Sequence, residues 1–152
     1  MEKNLILPLP AEHFIPHRLP MRLVDTLLSW EGGTGVIEAQ PGAGCILVGD
    51  DGTLDEAALV ELLAQGYAAV KGYDDLLQGK PVSEGYLVGI RRFRAERRPQ
   101  AGEKLVVRIR TVGSFEAFAV AEGEIEAAGE AIAGGTVKLW VANRAGSAGE
   151  GA

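Results

Sequence analysis

Residues 54–71 read LDEAALVELLAQGYAAVK, and this stretch decides the architecture of the chain. Its leucine, valine and alanine side chains fall on almost every side of a helix, whereas a surface helix keeps a polar stripe. Thr53 or Asp55 is suited to cap the start of the helix, and Gly72 is expected to end it. The pattern therefore predicts a long helix that is buried on most of its sides.

The rest of the chain reads mainly as β-strand. Apolar and polar residues alternate in residues 104–112, where Leu105, Val107 and Ile109 share one face. One helix with five or six strands is an α+β arrangement, and this helix alone can cover the apolar faces of the strands. We therefore expect an antiparallel sheet that curves strongly and wraps around one long central helix. The six predicted strands are 22–30, 34–40, 85–96, 104–112, 115–127 and 131–141, and residues 46–48 are a candidate for a further short strand.

A length of 152 residues is that of one domain. We expect a single domain over residues 1–142. Residues 143–152 are mostly Gly, Ala and Ser with nothing to bury, and they are expected to form a flexible tail. Residues 1–20 contain four prolines, which argue against a long helix there.

Composition excludes several classes of protein. The net charge of −6 argues against nucleic acid as a partner. No stretch approaches the roughly 20 apolar residues that a membrane span requires, so we expect a cytoplasmic protein without a membrane partner. A single cysteine and two histidines argue against an internal disulfide or a protein-only zinc site, and no metal or other cofactor is expected.

Glu61 and Gln65 are the polar exceptions in the middle of the helix. They are four residues apart and share one face. Burying a carboxylate without a partner is costly, and such a group is commonly held neutral by protonation. A neutral carboxyl in an apolar site is a ready general acid. The alternatives are a structural hydrogen bond between Glu61, Gln65 and the backbone, or exposure of Glu61 at a gap in the sheet.

Positive charge is concentrated in one stretch of eight residues. An acidic protein with one basic patch can dock an acidic carrier protein. The same charges also suit a solvated strand edge, where they discourage aggregation. The residues are Arg91, Arg92, Arg94, Arg97 and Arg98.

Three segments in order along the chain resemble the 3-hydroxyacyl-[acyl-carrier-protein] dehydratases of the FabA/FabZ type. The resemblance implies a hotdog fold, commonly a dimer whose sheets join edge to edge, with a substrate tunnel beside the helix. It also implies that a His and a Glu from opposite subunits dehydrate the thioester. The segments are Ile15–Asp25 (IPHRLPMRLVD), Leu59–Gln65 (LVELLAQ) and Tyr86–Arg94 (YLVGIRRFR), the last followed by Pro99 and Gly102-Glu103.

The resemblance also suggests a role for individual residues. Glu61 matches the catalytic Glu of the family, and Gln65 is expected to fix its geometry and contact substrate. Backbone N–H groups at Glu56 and Ala57 are expected to polarise the thioester carbonyl, and Gly89 is expected to contact substrate. The expected carrier contacts are Arg91, Arg92 and Arg94.

The chain departs from the FabZ pattern at the catalytic histidine. The His-Phe-Pro-Gly motif that precedes the family's Glu corresponds here to the region of Leu47, in Cys45–Gly49, where no histidine occurs. His17 is the histidine that lies in a matching motif, and we expect it to act as the base. In this respect the chain resembles the divergent ApeP-like branch, associated with aryl-polyene-type lipid pathways. His13 has no motif support and is expected at the surface.

Three functions follow as hypotheses. The first is dehydration of a 3-hydroxyacyl thioester on acyl carrier protein or coenzyme A, by a homodimer with His17 as base and Glu61 as acid. The second, motivated by the missing motif histidine, is a non-catalytic subunit that partners an active dehydratase or synthase. The third is a hotdog thioesterase that uses Glu61 as base or nucleophile.

Overall fold

Helix α1 (Glu56–Leu77) is the centre of the computed structural model, which describes residues 5–142. At about 1.5 Å per residue its 22 residues span roughly 33 Å. The carboxylate of Asp55 caps the helix by accepting the N–H of Ala57 at 2.8 Å, so Asp55 is the cap and Thr53 is not. Thirteen of the helical residues are buried, which confirms the predicted burial on most sides.

A seven-stranded antiparallel sheet wraps around α1. Its spatial order is β1-β2-β3-β5-β6-β7-β4, so β4 crosses to the far edge and pairs with β7 instead of its neighbour in sequence, β5. The predicted fold class, a curved antiparallel sheet with one long helix, is confirmed. The strands are β1 (Leu9–Pro10), β2 (Thr26–Glu31), β3 (Thr34–Ala39), β4 (Glu84–Ala95), β5 (Leu105–Phe115), β6 (Phe118–Ala127) and β7 (Glu130–Ala142).

Glycines let the sheet approach the helix closely. A Cβ on Gly35 of β3 would lie 2.5 Å from Val70 Cγ2, and one on Gly123 of β6 would lie 2.6 Å from Leu63 Cδ2. Real side chains do not come so near, so larger residues here would force the helix away from the sheet. The tight contact buries the apolar faces of β3, β5, β6 and β7 against a single helix.

The predicted end of the helix at Gly72 is wrong. The helix continues through Gly72 to Leu77, and the carbonyl oxygen of Phe14 packs against Gly72 at a place only 1.8 Å from where a Cβ would lie. Gly72 is therefore present for close approach of the N-terminal segment and does not stop the helix. The side chain of Phe14 is itself fully buried, so this contact fixes the N-terminal segment on the helix.

Two further predictions of local structure are wrong. Residues 46–48 form no strand; Val48 makes one isolated bridge to Leu54. The break expected between the predicted strands 104–112 and 115–127 falls after Phe115, because β5 continues past a register shift between Thr111 and Gly113. The expected tail over residues 143–152 lies outside the described residues. No helix in residues 5–142 is long and apolar enough to cross a membrane.

Replacing Gly72 by Ala tests the close contact. Alanine is the better helix former by roughly 1 kcal/mol, yet the new methyl would collide with the Phe14 backbone. We expect Gly72→Ala to lower the free energy of unfolding by about 2 kcal/mol or more, measured by urea denaturation. Gly66→Ala is the matched control in the same helix, because its Cβ would meet side chains of Val107 and Ile109 at 3.1 Å that can shift. An equal or smaller loss for Gly72→Ala than for Gly66→Ala would contradict this account.

Candidate active site

The segment that carries His17 is held at both ends. Phe14 and Ile15 are buried before it, and Leu23 and Val24 are buried after it. Between them the guanidinium of Arg18 donates to the carbonyl oxygens of Ile15 and His17, each at 2.8 Å. The prolines and buried anchors thus fix an irregular loop, and His17 is presented from it at a defined place beside α1.

Gln65 joins this segment to the helix. Gln65 is 1% exposed, and its side-chain amide forms three hydrogen bonds. Its Oε1 accepts the N–H of Leu23 at 2.7 Å, and its Nε2 donates to the carbonyl of Met21 at 2.9 Å and to Oε2 of Glu61 at 2.7 Å. Gln65 therefore fixes both the carboxyl of Glu61 and the backbone that leads from His17.

His17 and Glu61 come together within one chain. Nε2 of His17 lies 3.9 Å from Oε2 of Glu61, and their side chains are 27% and 34% exposed. Of the alternatives open for Glu61, the structure shows the hydrogen bond with Gln65 together with partial exposure of the carboxyl. The resemblance implied a pair formed across two subunits, whereas here one chain supplies both groups.

The environment favours a neutral imidazole at His17. Burial lowers the pKa of His17 below its usual 6.5; the nearby Glu61 carboxylate opposes this shift and the Arg18 guanidinium adds to it. Nδ1 of His17 is buried without a hydrogen-bond partner in the structure. In the tautomer that carries its proton on Nδ1, a neutral imidazole has on Nε2 the lone pair that a general base requires.

A narrow pocket of about 50 Å³ contains the two groups. Its helix side presents residues at i, i+3, i+7 and i+10 from Glu61, which form one stripe of α1. The opposite side comes from the start of β4 and the end of β7. The lining residues are His17, Glu61, Ala64, Tyr67, Ala68, Lys71, Ser83, Gly85, Leu87, Leu139 and Val141.

Sequence reasoning did not anticipate the far end of this pocket. Nζ of Lys71 lies 2.5 Å from Oδ1 of Asp75 and forms an ion pair with it, and Asp75 is only 2% exposed. The other oxygen of Asp75 accepts the N–H of Ser83 at 2.9 Å, which ties the loop after the helix to α1. The signal for Lys71 and Asp75 was their i, i+4 spacing, but the expected end of the helix at Gly72 hid it.

The remaining predicted substrate contacts lie apart from the pair. Glu56 and Ala57 are exposed in the first turn of α1, and the N–H of Ala57 is occupied by the carboxylate of Asp55. Gly89 pairs with Lys138 on β7 and is not among the residues that line the pocket. The structure therefore does not bring these three predicted residues together with His17 and Glu61.

The predicted carrier contacts lie along β4. Arg91, Arg92 and Arg94 are exposed, and Arg94 forms ion pairs with Glu96 and Glu124. Arg92 and Arg94 line a groove of about 410 Å³ on the sheet face turned away from the helix. Within residues 5–142, no group of three or more His, Cys, Asp and Glu side chains is placed to hold a metal ion.

The pKa of His17 tests the contact between the pair. We expect an NMR titration of a His13→Gln variant, which leaves one imidazole signal, to give a pKa below 6.5. Adding Glu61→Gln should lower it further, because the carboxylate that favours the imidazolium is lost. A value that stays the same or rises would contradict the proximity of the two groups.

The same titration affects stability. Because the folded state binds the His17 proton less well than the unfolded state, the contribution of neutral His17 is fully present above pH 6.5. It is lost as the pH falls below 6.5 through the lower folded-state pKa. We expect His17→Gln to reduce the loss of unfolding free energy in that acid range, measured by urea denaturation at several pH values. An unchanged pH dependence would show that His17 is not linked to folding.

Solved structures of similar fold include a chain of a dehydratase complex and two proteins with acetyl CoA or coenzyme A. A chain of "The Dehydratase Heterocomplex ApeI:P from Xenorhabdus doucetiae" matches with a TM-score of 0.82 at 22% identity, covering 90% of this chain and 93% of that one. The smu.793 protein of Streptococcus mutans, bound to acetyl CoA, matches at 0.64 with 14% identity over 86% and 97%. A hypothetical thioesterase of Streptococcus pneumoniae with coenzyme A matches at 0.61 with 13% identity over 77% and 84%. At these identities the likeness shows the hotdog fold.

The family is shown by the sequence. No protein of curated function matches the chain significantly. The family model described as ApeP-like, the ApeP dehydratase, matches residues 9–148, which is most of the chain and includes both His17 and Glu61. The resemblance to the divergent branch is thereby confirmed. The chain belongs to the ApeP-like dehydratase family of hotdog proteins.

Proposed function

We propose that this chain dehydrates a 3-hydroxyacyl thioester carried on acyl carrier protein to the enoyl thioester. The observation that carries the proposal is the separation of 3.9 Å between His17 Nε2 and Glu61 Oε2 in a pocket of a dehydratase-family chain. Dehydration needs a base at the α-carbon and an acid at the adjacent β-hydroxyl. An imidazole and a carboxyl at this spacing can reach groups on neighbouring carbon atoms.

In the proposed reaction Nε2 of neutral His17 removes the α-proton. The C–H electron pair forms the α,β double bond as the β-carbon–oxygen bond breaks. The step requires the acid form of the Glu61 carboxyl, which gives its proton to the departing hydroxyl so that it leaves as water. The products are the enoyl thioester, an imidazolium and a carboxylate. Return of the proton from His17 to Glu61 through one water molecule, because 3.9 Å is longer than a hydrogen bond, restores the starting state.

Gln65 is proposed as a positioning residue. Its N–H bond to Oε2 of Glu61 leaves Oε1 as the oxygen available to carry the acidic proton. Its bonds to Met21 and Leu23 hold the segment of His17 at a fixed distance from the same carboxyl. Small changes in such distances cost much activity, because both proton transfers need the same substrate geometry.

The pocket offers an apolar path for the acyl chain beside the helix. Ala64 and Ala68 on α1 face Leu139 and Val141 on β7, so methylene groups would meet small or aliphatic side chains. For the carrier we propose contact with Arg91, Arg92 and Arg94, which would face acidic groups of a carrier protein. A coenzyme A thioester is the alternative substrate, with the same acyl chemistry.

A second subunit is proposed to complete the assembly along β4. In residues 5–142 β4 pairs with β7 alone, and its other edge carries no further strand of the described chain. The apolar side chains of Leu87, Val88 and Ile90 are 38%, 52% and 37% exposed near it. An open strand edge with exposed apolar residues is suited to pair with the same edge of a second chain, as a homodimer or with a related hotdog subunit.

Substitution of the pair tests the proposal. We expect Glu61→Gln and His17→Ala each to reduce kcat/KM for enoyl formation from a 3-hydroxyacyl-carrier substrate by about 10²- to 10⁴-fold, the range for lost general acid or base catalysis. His13→Ala is the matched control, because His13 is exposed and contacts the ring of Phe14 away from the pocket. Equal enoyl formation by Glu61→Gln and the unmodified protein would refute the role of Glu61.

A non-catalytic subunit is the second candidate. It is favoured by the missing motif histidine near Leu47 and by the fold shared with a chain of a dehydratase heterocomplex. The purified chain should form enoyl thioester without any partner if the first proposal is right. Activity that appears only with an active homologue and survives Glu61→Gln would support the second. Release of free acid and thiol instead of enoyl product would identify a thioesterase.

A further inference from the structure

Two cavities meet at the middle of α1. The pocket of His17 and Glu61 ends at Tyr67 and Lys71, and these same two side chains line a second cavity of about 330 Å³. The second cavity lies under the β2–β3 turn and the end of β5. Its other walls are formed chiefly by Trp30, Gly33, Val70, Asp74 and Thr111. The smaller pocket therefore adjoins a larger cavity, and the side chains of Tyr67 and Lys71 form the wall between them.

Lys71 is the fixed half of this wall. Its ammonium group is paired at 2.5 Å with Asp75, and that carboxylate also holds the N–H of Ser83. Moving Lys71 aside would leave the carboxylate of Asp75 in a buried place with one partner fewer, which is costly. Lys71 is thus expected to stay where it is when the pocket is occupied.

Tyr67 is the half whose size decides whether the cavities join. It is 4% exposed, and it is the first large side chain reached along the helix from Glu61, after the small side chain of Ala64. Burial and the negative charges of Asp75 and Asp74 raise the pKa of Tyr67 to about 12. Its hydroxyl is neutral at neutral pH and adds no charge to the wall.

The distance from His17 and Glu61 to the wall sets the length of acyl chain that fits in the pocket. Ala64 and Ala68 leave room for a chain beside the helix, and Lys71 lies ten residues beyond Glu61, roughly 15 Å along the axis. An acyl chain that starts at His17 and Glu61 and runs along this stripe would meet Tyr67 before it reached the second cavity.

We propose that Tyr67 limits the length of acyl chain that the site accepts, by closing the catalytic pocket against the second cavity. This inference rests on the proposed use of the pocket for an acyl thioester. Removing the ring opens a continuous space along α1, and additional methylene groups then enter the second cavity against Trp30 and Val70. The ring acts through its volume, so its hydroxyl group is dispensable for the limit.

The experiment measures binding, which does not depend on turnover. S-alkyl thioethers of coenzyme A with increasing chain length are titrated calorimetrically into the unmodified protein, Tyr67→Ala and Tyr67→Phe. We expect affinity for the unmodified protein to stop rising at a short chain length. Tyr67→Ala should continue to gain about fourfold per added methylene beyond that length, the value for burial of one CH₂ group. Tyr67→Phe, which keeps the wall, should follow the unmodified protein.

Further controls separate the possible outcomes. Tyr73→Phe removes the hydroxyl of another buried tyrosine, which bonds the carbonyl of Leu5 outside the pocket, and should leave the length profile unchanged. If Tyr67→Ala is unstable by thermal unfolding, Tyr67→Leu makes the same test with a smaller opening. The same length profile in all Tyr67 variants, or no binding of any thioether, would overturn the inference. Length-dependent binding without dehydration of matched 3-hydroxyacyl thioesters would instead uphold it and refute the proposed function.

Discussion

The buried amide of Gln65 is the interaction on which the candidate site depends. Its three hydrogen bonds reach the carboxyl of Glu61 and the backbone at Met21 and Leu23. An amide buried to 1% exposure must satisfy its donors and acceptor internally, so each bond that is broken leaves a costly unpaired group. These hydrogen bonds therefore fix the loop that carries His17 rigidly to the face of α1 that carries Glu61. A histidine on an irregular segment is thereby held near a carboxyl from which it is 44 residues distant in sequence.

The second constraint is the close packing of the N-terminal segment and the sheet on one helix. Gly72 admits the Phe14 carbonyl, and Gly35 and Gly123 admit side chains of α1 to the sheet. At these glycines no side chain separates the backbone from its neighbour. The contacts therefore fix closely how far the helix lies from the N-terminal segment and the sheet. The pocket of about 50 Å³ is what this packing leaves beside Glu61. The width of the site and the packing of the core are thus set by the same contacts.

The charged side chains of β5 and β6 lie on the outer face of the sheet, whereas the pocket lies on the side that the helix covers. On the face of the sheet away from α1, Arg108 and Arg110 alternate with buried apolar residues and pair with Glu126 and Glu122. The charges that looked like one basic patch in the sequence are also partly compensated, since Arg94, Arg97 and Arg98 form ion pairs with acidic side chains. The pocket lies on the opposite, helix-covered side. A carrier that contacts the arginines of β4 would therefore reach the pocket around the edge of the sheet, where the second subunit is also proposed to bind.

The sequence by itself determined the fold class and the family. The apolar helix and the alternating strands dictate burial through their periodicity, and the motifs around His17, Glu61 and Gly89 led to the dehydratase resemblance. Local patterns also brought Glu61 and Gln65 onto one face, since four residues make about one helical turn. What only the tertiary structure decided were the contacts between distant segments. The distance from His17 to Glu61, the use of Gly72 for the Phe14 carbonyl and the pairing of β4 with β7 all depend on how far elements approach. Periodicity says which face of an element is apolar, but it carries no distance to the residue that will cover that face.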